Sequence, residues 1–266
     1  MPDLLDVTTR NIALSQSPLE FSTSGGGDWK IWDRYLTVNG KQAYHLGNVC
    51  GTCRFLFERM EGANTGIEVD ELTALLAAGV NNLTEEVVDK LAQLVPASNY
   101  IVALLRLKPK VVQLGGESDY FAVEQVENED GVDPFWGLPH NPKVPYYRVV
   151  SRSSVKVPQG EAFDFIVPMI PESMLDRERI GFYERSLNDD FAPTAVALSL
   201  LDVKGPACSG TEHWCLAHYV IDGHHKVAAA ARADRELTLI AFIAVDHGIS
   251  SKEQVDIVLK TFTQLV

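Results

Sequence analysis

Tyr219-Val220-Ile221-Asp222-Gly223-His224-His225-Lys226-Val227-Ala228-Ala229-Ala230 is the most informative stretch of this chain. It reads as the end of a strand, a glycine turn and the start of an Ala-rich helix. The first amides of a helix have no partner within it, and the macrodipole places partial positive charge there. A glycine just before them lets a ligand approach the backbone closely. Two imidazoles and an ammonium add further donors. Such a site suits phosphate or carboxylate. Asp222 can cap the helix, take a proton or help hold a metal ion. The plainer alternative is a common Asp-Gly turn followed by surface histidines. Four of the seven histidines, His213, His218, His224 and His225, fall within thirteen residues, which favours a site. Strand alternation sends His213 and His218 to opposite faces, so they cannot all join it.

Working outward, Leu237 to Val245 is a continuous apolar run that reads as a buried strand. A final helix follows, with Ser250 and Glu253 as a capping box and Val255, Val258, Leu259, Phe262 and Leu265 on one face. Upstream, Phe163 to Met169, Thr194 to Val203 and His213 to Ile221 read as strands, and Asp176 to Leu187 as a helix. Residues 127–145, with four prolines and Asn-Glu-Asp-Gly, read as a loop, and Tyr146 to Val155 as a strand. Nearer the start, Val69 to Leu76 and Thr84 to Val95 have helical spacing. Tyr100 to Leu105 and Val111 to Leu114 look like strands, and Asn39-Gly40 looks like a hairpin turn. Residues 1–28 are expected to be a flexible arm. The boundaries predicted are 29–157 for an N-terminal α+β domain and 158–266 for a C-terminal one.

The C-terminal order of elements resembles the ParB/sulfiredoxin superfamily. Val167-Pro168-Met169-Ile170-Pro171, then Asp176-Arg177-Glu178-Arg179 and Phe182-Tyr183, is similar to its first box. Asp222-Gly223-His224-His225-Lys226 is similar to its glycine turn. The likeness spans about residues 162–250. It implies an α+β fold whose C-terminal half is a ParB/sulfiredoxin-like mixed sheet with helices. It also implies a nucleotide (ATP, ADP or CTP, with Mg²⁺) held by Gly223, His224, His225 and Lys226. Sulfiredoxin-like members carry a cysteine where His224 stands, so sulfinic-acid repair is not expected. No basic helix-turn-helix of the partition proteins is recognisable. The free amino-acid kinases of the superfamily are nearest in motif. Their catalytic glutamate maps by spacing to Glu178, with Asp176 and Glu172 behind it, and Asp222 is the second catalytic candidate. Lys226 stands where arginine is more usual, losing the bidentate fork on phosphate. The implied activity is phosphoryl transfer to a small hydroxylated metabolite such as serine. The alternative is a non-catalytic nucleotide-binding switch or interaction module with a structural zinc site.

Cys50-Gly51-Thr52-Cys53 leads into Arg54 to Met60, which reads as a short helix. Cys50 and Cys53 supply half of a zinc site, with Cys208, Cys215, His45 and His213 as possible completions. Two rival readings are a redox dithiol, since strand, Cys-x-x-Cys and helix have some likeness to thioredoxin, and inert thiols. Trp29, Trp32, Phe135 and Trp136 read as core or interface.

Composition sets the outer limits. The 266 residues are 46% hydrophobic and 22% charged, as globular chains are. Lys and Arg total 23 against 36 Asp and Glu, a net charge of −13 shared by both halves. Nucleic-acid binding is therefore not expected, because that affinity comes from basic side chains displacing counterions. No run approaches the roughly 18 apolar residues of a membrane span, and no signal-peptide pattern opens the chain, so a cytoplasmic location is the expectation.

Overall fold

The computed structural model describes residues 2–65, 67, 73–128, 139–149, 154–187, 193–205 and 211–261. Strands and helices follow in this order: β1 (Asp3–Ile12), β2 (Leu19–Gly26), β3 (Trp29–Val38), β4 (Lys41–Asn48), β5 (Glu58–Arg59), α1 (Thr73–Ala78), α2 (Glu85–Ala92), β6 (Ser98–Leu107), β7 (Lys110–Val111) and α3 (Glu124–Asn128). Then come β8 (Tyr147–Arg148), β9 (Val155–Val157), β10 (Gly160–Pro168), α4 (Arg177–Ser186), β11 (Thr194–Lys204), β12 (Glu212–Asp222), α5 (His224–Ala233), β13 (Leu237–Ala244) and α6 (Lys252–Thr261).

Nine strands form one mixed sheet in the order β1-β6-β13-β11-β12-β10-β8-β7, with β9 beside β10. Strands β10 and β12 are parallel, as are β11 and β13, while β11 and β12 are antiparallel. The central strands are apolar on both faces because both faces are covered. All eight residues of β13 are buried. One face carries Ala197, Leu216, Val220 and Ile243 and packs on α4, α5 and α6 through Ile180, Val227 to Ala230, Val255 and Leu259. The other face meets the second, four-stranded antiparallel sheet, ordered β2-β3-β4-β5. Tyr44 there lies 5.0 Å from Tyr219, and Phe55, on the chain between β4 and β5, lies 5.1 Å from Phe165.

The structure is α+β, as expected, and the C-terminal elements occur in the predicted order. Asn39 and Gly40 both take positive φ (49° and 74°) in the β3–β4 turn, the geometry that favours Asn-Gly in a two-residue hairpin. Three expectations need correction. Residues 1–28 contain β1, paired with β6 from Asp3↔Arg106 to Ile12↔Ser98, and β2, paired with β3. An edge strand is held by its backbone ladder, so its side chains need not be strongly apolar. The boundary near residue 157 divides a continuous sheet, since β6 pairs with β13 from Leu237↔Leu107 to Ala244↔Tyr100. Residues 54–60 are extended and include β5, because Phe55 and Phe57 are buried at a period of two, not at helical spacing. Trp29 is 63% exposed, not core, and Phe135 and Trp136 lie outside the described residues.

Candidate functional site

The glycine turn forms where the sequence places it. Gly223 is the N-cap of α5 with φ 97°, a left-handed conformation that side chains disfavour. A Cβ at this position would lie 2.7 Å from the Ala195 Cβ. The close approach that glycine permits is therefore made by β11. His224 is 8% exposed, and its Nε2 accepts the Met169 N–H at 3.1 Å. Burial pushes its pKa down to about 4, so the ring is neutral and that nitrogen is an acceptor. His225 is half-buried, and its Nε2 accepts the Asp176 N–H at 3.2 Å. Its pKa is lowered by burial and then by the Arg179 charge. Lys226 is 3% exposed; Nζ donates to the Thr194 carbonyl at 2.8 Å and to Asp222 Oδ2 at 3.2 Å. Burial lowers its pKa against the opposing pull of Asp222.

This arrangement does not fit the nucleotide that the resemblance implies. The side chains expected on phosphate are engaged within the protein itself: His224 accepts from the end of β10, His225 accepts from the start of α4, and Lys226 donates to β11. Gly223 is buried with them. The catalytic candidates are no better placed. Asp222 is the counter-ion of Lys226. Glu178 is exposed, with its backbone N–H on the capping Asp176 Oδ1 at 2.8 Å. Glu172 is ion-paired with Arg232. The residue types at the turn are those of an anion cradle, but their side chains act as struts.

The Cys50–Cys53 turn is different. The two sulfurs are bonded at 2.21 Å, with the Cα atoms 5.3 Å apart. The turn is fastened to the large sheet through its backbone. Gly205 N–H donates to the Gly51 carbonyl at 2.9 Å, and Lys204 Nζ to the carbonyls of Cys50 at 2.8 Å and Asn48 at 3.3 Å. Lys204 is 2% exposed, and burial pushes its pKa down to about 8. Gly51 and Thr52 are exposed, and both cysteines are half-buried. Beside Cys53 lies a small hollow of about 30 Å³. Its walls are Asn48, Cys53, Arg54, Phe55, Leu56, Gln125 and His140. Gln125 donates Nε2–H to the Phe55 carbonyl at 2.6 Å, and its buried Oε1 has no hydrogen-bond partner among the described residues. His140 Nε2 sits 2.9 Å from the Phe57 carbonyl, and burial lowers its pKa.

The same geometry does not fit the zinc expected as one reading of the sequence. A metal ligand must be a thiolate, and Cys50 and Cys53 have joined their sulfurs to each other. Among the described residues, no group of three or more metal-binding side chains occurs. Cys215 is buried in β12 with its thiol pushed well up by desolvation, and Cys208 lies outside the described residues. The alternation on β12 holds. His213 faces the small-sheet side with Nδ1 2.8 Å from the Tyr120 hydroxyl, and His218 faces the helices.

Two arrangements escaped the sequence. Ser199, His218 and Asp164 form a chain across three neighbouring strands, with Ser199 Oγ 2.7 Å from Nδ1 and Asp164 Oδ2 3.2 Å from Nε2. The types match a hydrolytic triad, but Ser199 and His218 are fully buried, so no substrate reaches the hydroxyl. Gln125 and His140, the polar walls beside Cys53, are the other omission. Neither lies near Cys53 in sequence, and no spacing rule links them. Among the described residues, no helix is long and apolar enough to cross a membrane. Comparison of the chain with protein-family models, curated proteins and solved structures finds no match.

Proposed function

We propose that the chain carries out thiol–disulfide exchange through Cys50 and Cys53. The observation that carries this reading is a bonded Cys-x-x-Cys pair in an exposed turn, with one sulfur-bearing residue lining a hollow. Exchange needs little else. A partner thiolate attacks one sulfur in line with the bond, the other leaves as a thiolate, and a second partner thiol resolves the mixed disulfide. The partner loses two electrons and two protons, and the pair gains both. No helix follows the motif to stabilise the leaving thiolate. The buried ammonium of Lys204, which donates to carbonyl oxygens at Asn48 and Cys50, supplies positive charge in its place. The test is stoichiometric. Oxidised protein mixed with excess dithiothreitol should yield one equivalent of oxidised reagent, and Cys50→Ser or Cys53→Ser should yield none. A wild-type pair that resists dithiol contradicts the reading.

For the C-terminal half, we infer a ParB/sulfiredoxin-like arrangement. Its support is the order strand, helix, two strands, glycine turn, helix, strand from β10 to β13. Phosphoryl transfer at the glycine turn would require Met169, Asp176 and Thr194 to surrender their bonds to His224, His225 and Lys226, so the exchange reading is preferred.

A further inference from the structure

The two sulfurs of the Cys50–Cys53 pair are not equivalent. We propose that an incoming thiolate attacks Cys53 and expels Cys50, with the Thr52 hydroxyl as the donor to the departing sulfur. This rests on the exchange reading above and adds the direction of attack and a residue that assists it.

Three sets of contacts separate the sulfurs. Thr52 Oγ1 lies 3.4 Å from Cys50 Sγ. In the disulfide that sulfur carries no charge and is a weak acceptor. Once the bond breaks, the same hydroxyl faces a thiolate, and its hydrogen bond becomes charge-assisted. The contact is therefore stronger as the bond breaks than before it, which is the condition for accelerating the step. The second contribution is charge. Lys204 Nζ donates to the Cys50 carbonyl at 2.8 Å and to the Asn48 carbonyl at 3.3 Å, on the Cys50 side of the turn. A nearby cation favours a thiolate. The third is anchorage. Cys50 N–H donates to Asn48 Oδ1 at 3.2 Å, and Gly205 N–H to the Gly51 carbonyl at 2.9 Å. These ties fall on residues 50 and 51 and hold the departing sulfur beside its donor. Arg54, which follows Cys53, has an interaction of its own. In exchange, the sulfur whose thiolate is better stabilised leaves faster, so attack falls on its partner.

The reaction balances in two steps. The first partner thiolate bonds to Cys53 Sγ, and the electron pair of the broken S–S bond goes to Cys50. A second partner thiolate attacks the partner's own sulfur in that mixed disulfide. A partner disulfide forms, and Cys53 leaves as a thiolate. The two protons lost by the partner thiols pass to the two cysteines or to water.

Trapping with 2-mercaptoethanol tests this. Oxidised protein is mixed with the thiol, quenched with acid at early times and alkylated with iodoacetamide. Fragment masses of the peptide then locate the mercaptoethanol and the alkyl group. Cys53 should carry the mixed disulfide over Cys50 by about ten to one, the scale of one hydrogen bond to a charged group. In Thr52→Val, an exchange at an exposed position, the reduction rate should fall about fivefold and the ratio to about two to one. Thr52→Ser, which keeps the hydroxyl, should hold both to within about twofold of wild type. An even split, or a mixed disulfide mainly on Cys50, overturns the proposal. So does a Thr52→Val protein with the wild-type rate and ratio. If neither 2-mercaptoethanol nor dithiothreitol opens the bond in the wild type, the exchange reading itself falls.

Discussion

The turns at residues 223–226 and 50–53 contrast the same ingredients put to opposite ends. Each holds a glycine, reactive side chains and a nearby buried lysine. At the first, the lysine is part of the turn and is neutralised by Asp222. The two imidazoles accept backbone N–H groups from the chain that leads into α4. At the second, Lys204 holds the turn by two carbonyl oxygens, with the Asp202 charge also acting on it, and the reactive sulfurs take no part in that anchoring. Cys53 is left beside a hollow. The lesson is one of hydrogen-bond accounting. A motif is available for chemistry when its functional atoms are not already the partners that fasten it in place.

The contrast can be broken most sharply at the sulfurs. Cys53→Ser should abolish dithiol oxidation outright, whereas Cys215→Ala, at a buried thiol, should leave it intact; a coupled assay separates the two. Next comes the strut at the other turn. Lys226→Ala leaves Asp222 and the Thr194 carbonyl without their ammonium, and losing one partner of a buried pair costs about 3 kcal/mol. Urea unfolding should show that loss while the exchange rate stays at the wild-type value. If Lys226→Ala unfolds normally, the strut reading of the turn is wrong.

Acid gives a smaller effect with a definite sign. The His224 pKa is depressed to about 4 in the fold, against about 6.5 in the unfolded chain. Between those values the unfolded chain binds more protons, so this residue's contribution is intact above about pH 6.5. It is lost as pH falls toward 4, at no more than about 1.4 kcal/mol per pH unit. His224→Gln should remove this component from the pH dependence of the urea midpoint. A wild-type slope in the variant would place the titration elsewhere. The smallest effect belongs to Glu178→Gln, which should change stability by less than about 0.5 kcal/mol because the residue is exposed.

Much of the C-terminal half was legible in the sequence. The apolar runs at 194–203 and 237–245, the final helix and the Asp-Gly turn each carry a local signal and became the expected elements, but the capping box is Ser251 with Gln254, not Ser250 with Glu253, and Phe262 and Leu265 lie outside the described residues. Strand β1 was not legible, because an edge strand can be as polar as Asp3 to Ile12 and still be held by its ladder. Nor was the pairing of β6 with β13, which depends on chain ends meeting far apart in sequence. The turn itself was readable, but the direction of its side chains was not. Whether His224 faces a ligand or Met169 depends on what β10 brings alongside. Gln125 and His140 meet Cys53 for the same tertiary reason.

The state of Cys50 and Cys53 in the purified protein is the most direct measurement. Unfolded protein is alkylated with and without prior reduction, and the peptide spanning residues 48–58 is weighed. The account predicts no alkyl group on that peptide without reductant and two after it. Two alkyl groups in the unreduced sample would show free or metal-held thiols and contradict it.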